Sequence, residues 1–286
     1  MKITHPIDIL DERLTEINQR WGRGKELSID FLPTLDNKIW GLQKQKLVVI
    51  GGRPSQGKSS LMLMMAYSFA RQGKRVMFFS LEMSNKVCLD RLLACNCEID
   101  NYMINTGKLG QLGDMYDERI KYFRNEAKNI NLALIESWGK TFDQIFAGIN
   151  SVKDSPDAVF LDYINMVKQS GKSKRDAIDE YIKKLREYAM DKDFCAIIGC
   201  QINRDVHKTK DGTTHIPNMW NLKEAGELEE HTDVGLLLHY PFHYSRDSED
   251  LGKYYINVAK NREGKTGVFE CVFEPEFYKF KEGTEK

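Results

Sequence analysis

The stretch VVIGGRPSQGKSSLML, residues 48–63, constrains the fold more tightly than any other part of the chain. An apolar run ends in paired glycines, a polar loop leads to Gly57-Lys58-Ser59, and an apolar pattern resumes at once. GRPSQGKS, residues 52–59, fits G-x-x-x-x-G-K-[ST] between a predicted strand and a predicted helix, the context in which that spacing signifies a phosphate cradle. Gly52 and Gly57 let backbone N–H groups close around an anion, and the helix N-terminus adds its positive dipole. The expected nucleotide-binding residues are Gly52, Arg53, Pro54, Ser55, Gln56, Gly57, Lys58, Ser59 and Ser60. Lys58 is expected at the β- and γ-phosphates and Ser59 at Mg²⁺.

Strands and helices alternate from there. KLVVIGG predicts a buried strand, SSLMLMMAYSFARQG a helix stopped at Gly73, and KRVMFFSLE a second strand. DAVFLDY predicts another short strand, and RDAIDEYIKKLREYAMDK a helix with Ile178, Ile182, Leu185 and Ala189 on its apolar face. That helix leads into the strand FCAIIGCQ, and VGLLLHY and YYINVAK follow. The alternation predicts an α/β fold, a mostly parallel sheet flanked by helices. The last strands, 254–260 and 268–273, are joined by NREGKTG, which predicts an antiparallel edge.

Ahead of this body, PIDILDERLTEINQRW places Ile7, Leu10, Leu14, Ile17 and Trp21 on one helical stripe before the break Gly22-Arg23-Gly24. The expectation is a short helical arm over 1–27 and a main body over 28–286. The stripe then packs either on its own body or on a neighbouring subunit.

Three polar residues end apolar strands where a parallel sheet binds its ligands. Asp162 ends AVFLD and suits a Mg²⁺-organising carboxylate; a solvated turn residue is the alternative. Glu82 ends FFSLE, beside the phosphate loop, where a carboxylate can orient and deprotonate an attacking water. Gln201 ends FCAIIGCQ and is placed to touch a γ-phosphate, or is only a strand-end amide.

Composition narrows the setting. Forty-two basic and 42 acidic residues cancel, so any nucleic-acid surface must be a local basic channel. The six cysteines form no C-x-x-C pair, which predicts reduced, buried thiols rather than a zinc site. The charged start MKITHPIDILDERLTE is unlike a signal peptide, and no apolar run approaches the roughly 20 residues that span a bilayer. A soluble, cytoplasmic protein without membrane contact is expected, and Met1 reads as a natural start.

Taken in order, GGRPSQGKS, FFSLEMS, FLDYINMV, CQINRDV, NLKEAGELEEHTDV and AKNREGKTG resemble the RecA-like motor domain of the DnaB-type replicative DNA helicases. LPTLDNKIWGLQKQKLVVIGG matches the family's approach to its phosphate loop, and the resemblance runs from about residue 28 to 280. It implies a RecA-like P-loop NTPase and an ATP-driven, Mg²⁺-dependent helicase of DNA replication. Such helicases are usually hexameric rings with nucleotide between subunits. Lys58, Ser59, Glu82 and Asp162 would then act in cis. Lys260 and Arg262 of AKNREG match the pair that reaches the neighbour's site, with Arg262 as an arginine finger. A solvated hairpin charge pair is the alternative for both.

The resemblance also implies single-stranded DNA bound by loops facing a central channel. KQSGKSKR supplies Lys168, Lys172, Lys174 and Arg175; RDVHKTKDGTTH supplies Arg204, Lys208 and Lys210; NLKEAGE supplies Lys223, Glu224 and Gly226. Solvated loops are the alternative. Both basic loops lack aromatic residues, so phosphate contacts are expected rather than base stacking. Ala225 and His231 stand where the family tends to have Ser and Asp. About 27 residues precede the motor body, so the expectation is a chain lacking the family's N-terminal helical domain, with a short arm that resembles its linker helix. A primase or a loader is the implied further partner. Two other classes stay open: a RecA-like ATP-dependent DNA-binding filament, and an accessory ATPase that serves another motor.

Overall fold

Runs such as LVVIGG and CAIIGCQ have no polar side of their own, so they are stable only in a sheet covered on both faces. The computed structural model describes residues 6–111, 113–167, 174–203, 215–222 and 225–283 and shows that arrangement. Strands β1 (Leu47–Gly52), β2 (Val76–Ser80), β3 (Leu132–Glu136), β4 (Ala158–Asp162), β5 (Cys195–Gln201) and β6 (Val234–His239) run parallel. Strands β7 (Lys253–Asn261), β8 (Gly267–Glu274) and β9 (Lys279–Glu282) continue the same sheet antiparallel. The order is β3-β2-β4-β5-β1-β6-β7-β8-β9, which puts the glycine-ended β1 in the interior with β5 and β6 as neighbours. The expected antiparallel edge is thus present, and one strand wider than the sequence suggested.

Alternation along each strand divides the core. Val48, Ile50, Phe78, Phe160 and Ile197 join one buried cluster with the helix α3 (Lys58–Arg71), whose residues Ser60 to Ala70 are all buried. Val49, Phe79, Val159, Leu161 and Ile198 join the other, with α7 (Phe142–Asn150) and α8 (Lys174–Lys192). The predicted stripe Ile178, Ile182, Leu185 and Ala189 of α8 is 0% exposed at every position. Among the described residues all six cysteines are free and buried, as the sequence suggested.

Two boundaries differ from expectation. β2 ends at Ser80, two residues before Glu82, because the Ser80 hydroxyl donates to Met83 O (2.7 Å) and accepts from Met83 N (3.1 Å), turning the chain. The first helix, α1 (Pro6–Arg23), runs through Gly22 and Arg23 instead of stopping at Trp21. Its Ile7, Leu10, Leu14 and Ile17 stay 45–64% exposed, so the stripe does not pack on this chain's own body. The interval 84–156, which the sequence left unassigned, holds α4 (Asn85–Cys97), α5 (Asn101–Asn105), α6 (Asp114–Ala127), α7 and the edge strand β3. Three further short helices are α2 (Pro33–Ile39), α9 (Ala225–His231) and α10 (Phe242–Ser245). Among the described residues no helix is long and apolar enough to cross a membrane.

Candidate nucleotide site

The loop between β1 and α3 opens into a cleft of about 560 Å³ at the C-terminal edge of the parallel strands. Gly57 caps α3 with φ +80°, and a Cβ there would stand 2.9 Å from the Phe280 ring, so a side chain is excluded on both counts. Gly52, Arg53, Pro54, Ser55, Gly57, Lys58, Ser59 and Ser60 all line the cleft, as the spacing predicts. Gln56 has another task. Its side chain is 1% exposed, accepts from Arg53 N (3.2 Å) and donates to the Tyr244 hydroxyl (2.7 Å). The Tyr254 hydroxyl donates to Gln56 O, so this residue braces the loop from below.

Behind the loop, Lys58 Nζ donates to Asp162 Oδ1 over 2.6 Å, with Asp162 0% exposed. The same ammonium stands 4.4 Å from the centre of the Tyr163 ring. Gly199 of β5 makes room for this pair. A Cβ on it would meet Lys58 Nζ at 3.0 Å, Asp162 Oδ1 at 3.1 Å and Met62 Sδ at 3.1 Å. The second carboxylate oxygen, Asp162 Oδ2, is buried without a hydrogen-bond partner among the described residues. A buried carboxylate oxygen left unsatisfied is costly. A hydrated cation beside Ser59 would satisfy it, so the residues present fit Mg²⁺. Among the described residues no group of three or more His, Cys, Asp or Glu could hold a metal by itself. That suits an ion that shares its oxygen ligands with a phosphate, as Mg²⁺ commonly does.

Glu82 is exposed and lines the cleft from the turn after β2. Burial raises the Tyr163 phenol above its ordinary value, and the nearby charges of Glu82 and Asp162 add to the rise. The Glu82 turn is held from the side by Trp138, whose indole N–H donates to Met83 O (3.2 Å). Gln201 lines the cleft from the end of β5, paired in register with Gly52.

Some lining residues escaped the sequence. Arg91 of α4 has its Nε buried without a hydrogen-bond partner among the described residues, and its guanidinium lies 4.8 Å from the Tyr278 ring centre. Phe273, Pro275 and Tyr278, around the β8–β9 turn, complete that wall. A flat cation and a ring at one end of a phosphate cleft suit a purine base. Arg91 sits nine residues past Glu82 inside an ordinary helix, and Tyr278 in a hairpin turn. Neither carries a local spacing that could have signalled it.

Lys260 and Arg262 lie elsewhere. Arg262 N donates to Asp233 O (3.0 Å), and Asp233 N donates to Leu47 O (2.8 Å), at the end of β1 opposite Gly52. β1 has six residues, so five steps separate those ends, about 16 Å at ordinary strand rise. The Arg262 guanidinium donates to Glu230 O and stands 3.5 Å from Asp233 Oδ1; Lys260 Nζ donates to Glu229 O. These are the last carbonyls of α9, so the pair caps that helix in addition to carrying charge. Burial lowers the Lys260 ammonium below its ordinary value, with Arg262 adding to the effect.

Of the DNA-contact candidates, Lys168, Lys172, Arg204, Lys208, Lys210, Lys223 and Glu224 lie outside the described residues. Lys174 and Arg175 begin α8, and Gly226 falls within α9; the side chains of Lys174 and Arg175 also lie outside the description.

Residues 30–282 match the family model described as DnaB-like helicase C terminal domain. The replicative DNA helicase DnaB of Geobacillus stearothermophilus is 27% identical over 290 residues, covering 96% of this chain and 61% of that protein. The replicative DNA helicase DnaC of Bacillus subtilis (strain 168) is 25% identical over 283 residues, with the same shares, 96% and 61%. The chain thus spans about three-fifths of the length of these curated relatives. Among solved structures, a DnaB-like replicative helicase, solved in a study of its interactions with primase, superposes with a TM-score of 0.84 at 22% identity, covering 98% of this chain and 67% of that one. A second solved chain, an isolated ATPase domain, superposes with a TM-score of 0.87 at 22% identity, covering 99% and 100%.

Proposed function

The chain belongs to the DnaB-like helicase C-terminal domain family, and from that premise we propose that it is an ATP-hydrolysing motor that moves along single-stranded DNA. The observation that carries this reading is the separation of two half-sites. The cradle, Asp162 and Glu82 gather at one edge of the sheet, and Arg262 lies at the opposite end of β1. A guanidinium about 16 Å away along a rigid strand does not serve its own cleft. It suits the cleft of the next copy.

In that reading the loop N–H groups and Lys58 bind the β- and γ-phosphates, while Ser59 and Asp162 hold Mg²⁺. When bound, that ion neutralises charge developing on the phosphates. Glu82 orients a water for in-line attack and takes its proton. Gln201 contacts the γ-phosphate, and Arg91 with Tyr278 holds the base. Arg262 of a neighbouring copy stabilises the transition state, an effect of ~10³–10⁵ in rate where such fingers have been measured. The exposed stripe of α1 docks on that neighbour, and a ring, hexameric as in the family, is the assembly proposed. The setting is cytoplasmic DNA replication, with a primase or a loader as further partner. The basic segments 168–175 and 204–215, together with Lys223, Glu224 and Gly226, track the strand.

ATP turnover measured with and without single-stranded DNA, beside Glu82→Gln, tests the reading. Turnover stimulated by DNA and lost in the variant is expected. Turnover indifferent to DNA would move the assignment to an accessory ATPase.

A further inference from the structure

We infer that Trp220 is a stacking platform for one unpaired base of the bound strand, seated on the turn that continues from the nucleotide cleft. This rests on the reading that the chain binds a single strand. Among the large apolar side chains described, Trp220 is the most exposed, at 67%, while its neighbours Met219 and Leu222 are 3% and 0% exposed. Leaving an indole in water forfeits one of the largest apolar burials a side chain can make.

The backbone under the ring is braced. Residues Met219–Asn221 form a 3-10 turn closed at both ends by Asn218: its side chain accepts from Met219 N (2.8 Å), and its N–H donates to Asn221 Oδ1 (2.7 Å). Asn257 Nδ2 holds Pro217 O at 2.8 Å. Trp220 is therefore held outward by structure on both sides.

That turn is wired to the cleft. Gln201 lines the nucleotide site; the next residue, Ile202, bridges to Leu222, and Asn203 N donates to Asn221 O (2.9 Å). A change at the γ-phosphate that moves Gln201 reaches Trp220 through two backbone pairings.

A base is the occupant that fits. In the sequence Trp220 stands between the buried Met219 and the polar Asn221, and a single exposed indole offers one flat face. Stacking on such a face tolerates any sequence. In the sequence the position falls between the basic stretch after Gln201 and Lys223, whose charges attract a phosphate backbone.

The test is binding of oligothymidylate, and of an oligonucleotide of the same length carrying abasic tetrahydrofuran sites, to the full chain with a non-hydrolysable ATP analogue. Trp220→Ala should weaken thymidylate binding by about 5- to 100-fold and leave abasic binding and the salt dependence unchanged. Trp220→Tyr should recover most of the loss. Equal losses on both oligonucleotides, or no loss on thymidylate, would overturn the inference. So would a change in assembly size in Trp220→Ala, which would mean that a second copy covers the ring. Wild-type protein that binds neither oligonucleotide would instead bring down the strand-binding reading together with it.

Discussion

Adding one methyl group at Gly199 should separate the nucleotide chemistry from the stability of the fold. A Cβ at this position has three neighbours inside ordinary contact distance: Lys58 Nζ at 3.0 Å, Asp162 Oδ1 at 3.1 Å and Met62 Sδ at 3.1 Å. Asp162 is 0% exposed and fixed at the end of a buried strand, whereas Lys58 is 10% exposed toward the cleft. The lysine is thus the partner that yields, and the 2.6 Å bond to Asp162 lengthens as it moves. Overpacking of this kind costs about 1–3 kcal/mol. At ~2–4 °C per kcal/mol for chains approaching this size, melting should fall by several degrees. A hydrogen bond to a charged group contributes about 1.5–3 kcal/mol, so displacing Lys58 from the phosphates should weaken ATP binding about 10- to 100-fold.

The comparison variant is Gly148→Ala. Its Cβ meets the Phe79 ring at 3.2 Å on the far side of the sheet, where the gain in helix propensity, about 1 kcal/mol, offsets the crowding. Affinity for a fluorescent ATP analogue and melting temperature would be read for both variants. Gly199→Ala with wild-type affinity, whatever its melting point, would refute the reasoning that this glycine makes space for the lysine.

Two further outcomes follow from the charges and thiols. Burial pushes the Asp157 carboxyl up, but the Lys44 ammonium at 2.8 Å and the Arg75 N–H outweigh it and hold it below its usual value. Its stabilisation is therefore complete above the unfolded value of ~3.9 and is lost as pH falls through the lower folded value. Asp157→Asn should lower the denaturation midpoint at pH 7, with the gap to wild type narrowing below pH ~4; a constant gap down to pH ~3 would contradict this. Burial also raises the thiols, Cys97 to about 11 and Cys95 and Cys271 to about 12. A disulfide reagent at pH ~8 should find almost no thiolate at Cys95, Cys97 and Cys271 in the native chain, and six accessible thiols after unfolding. Fast reaction of a native thiol would refute the buried assignment.

Much of this was legible from residue order alone, because it depends on neighbours in sequence. The cradle, its strand and its helix follow from GRPSQGKS between two apolar runs, and Asp162 and Gln201 from polar residues closing such runs. Glu82 lay two residues off the strand end because a side-chain hydrogen bond from Ser80 turns the chain early, which hydropathy does not register. Residues whose role depends on packing from a distance stayed hidden. Gly199 looks like any strand glycine until Lys58 is placed above it, and Arg91 meets Tyr278 across most of the fold. The interval 84–156 mixes short helices with the half-buried β3, whose Leu132–Glu136 lacks the fully apolar signature of the central strands.

If Arg262 serves the cleft of another copy, as proposed, its distance from the cradle gives the molecule a direction. In the proposed reading one copy gives its guanidinium to the next and receives one from the copy behind, and a contact of that kind joins copies head to tail rather than about a two-fold axis. Every copy added leaves the same offer and the same request open, until the accumulated rotation brings the last copy back to the first or carries the chain past it as a helix. A strand of nucleic acid lying along such an array meets the same face of each copy in the same orientation. In the proposed motor, polarity of movement then has its origin in a single polypeptide, before any assembly exists.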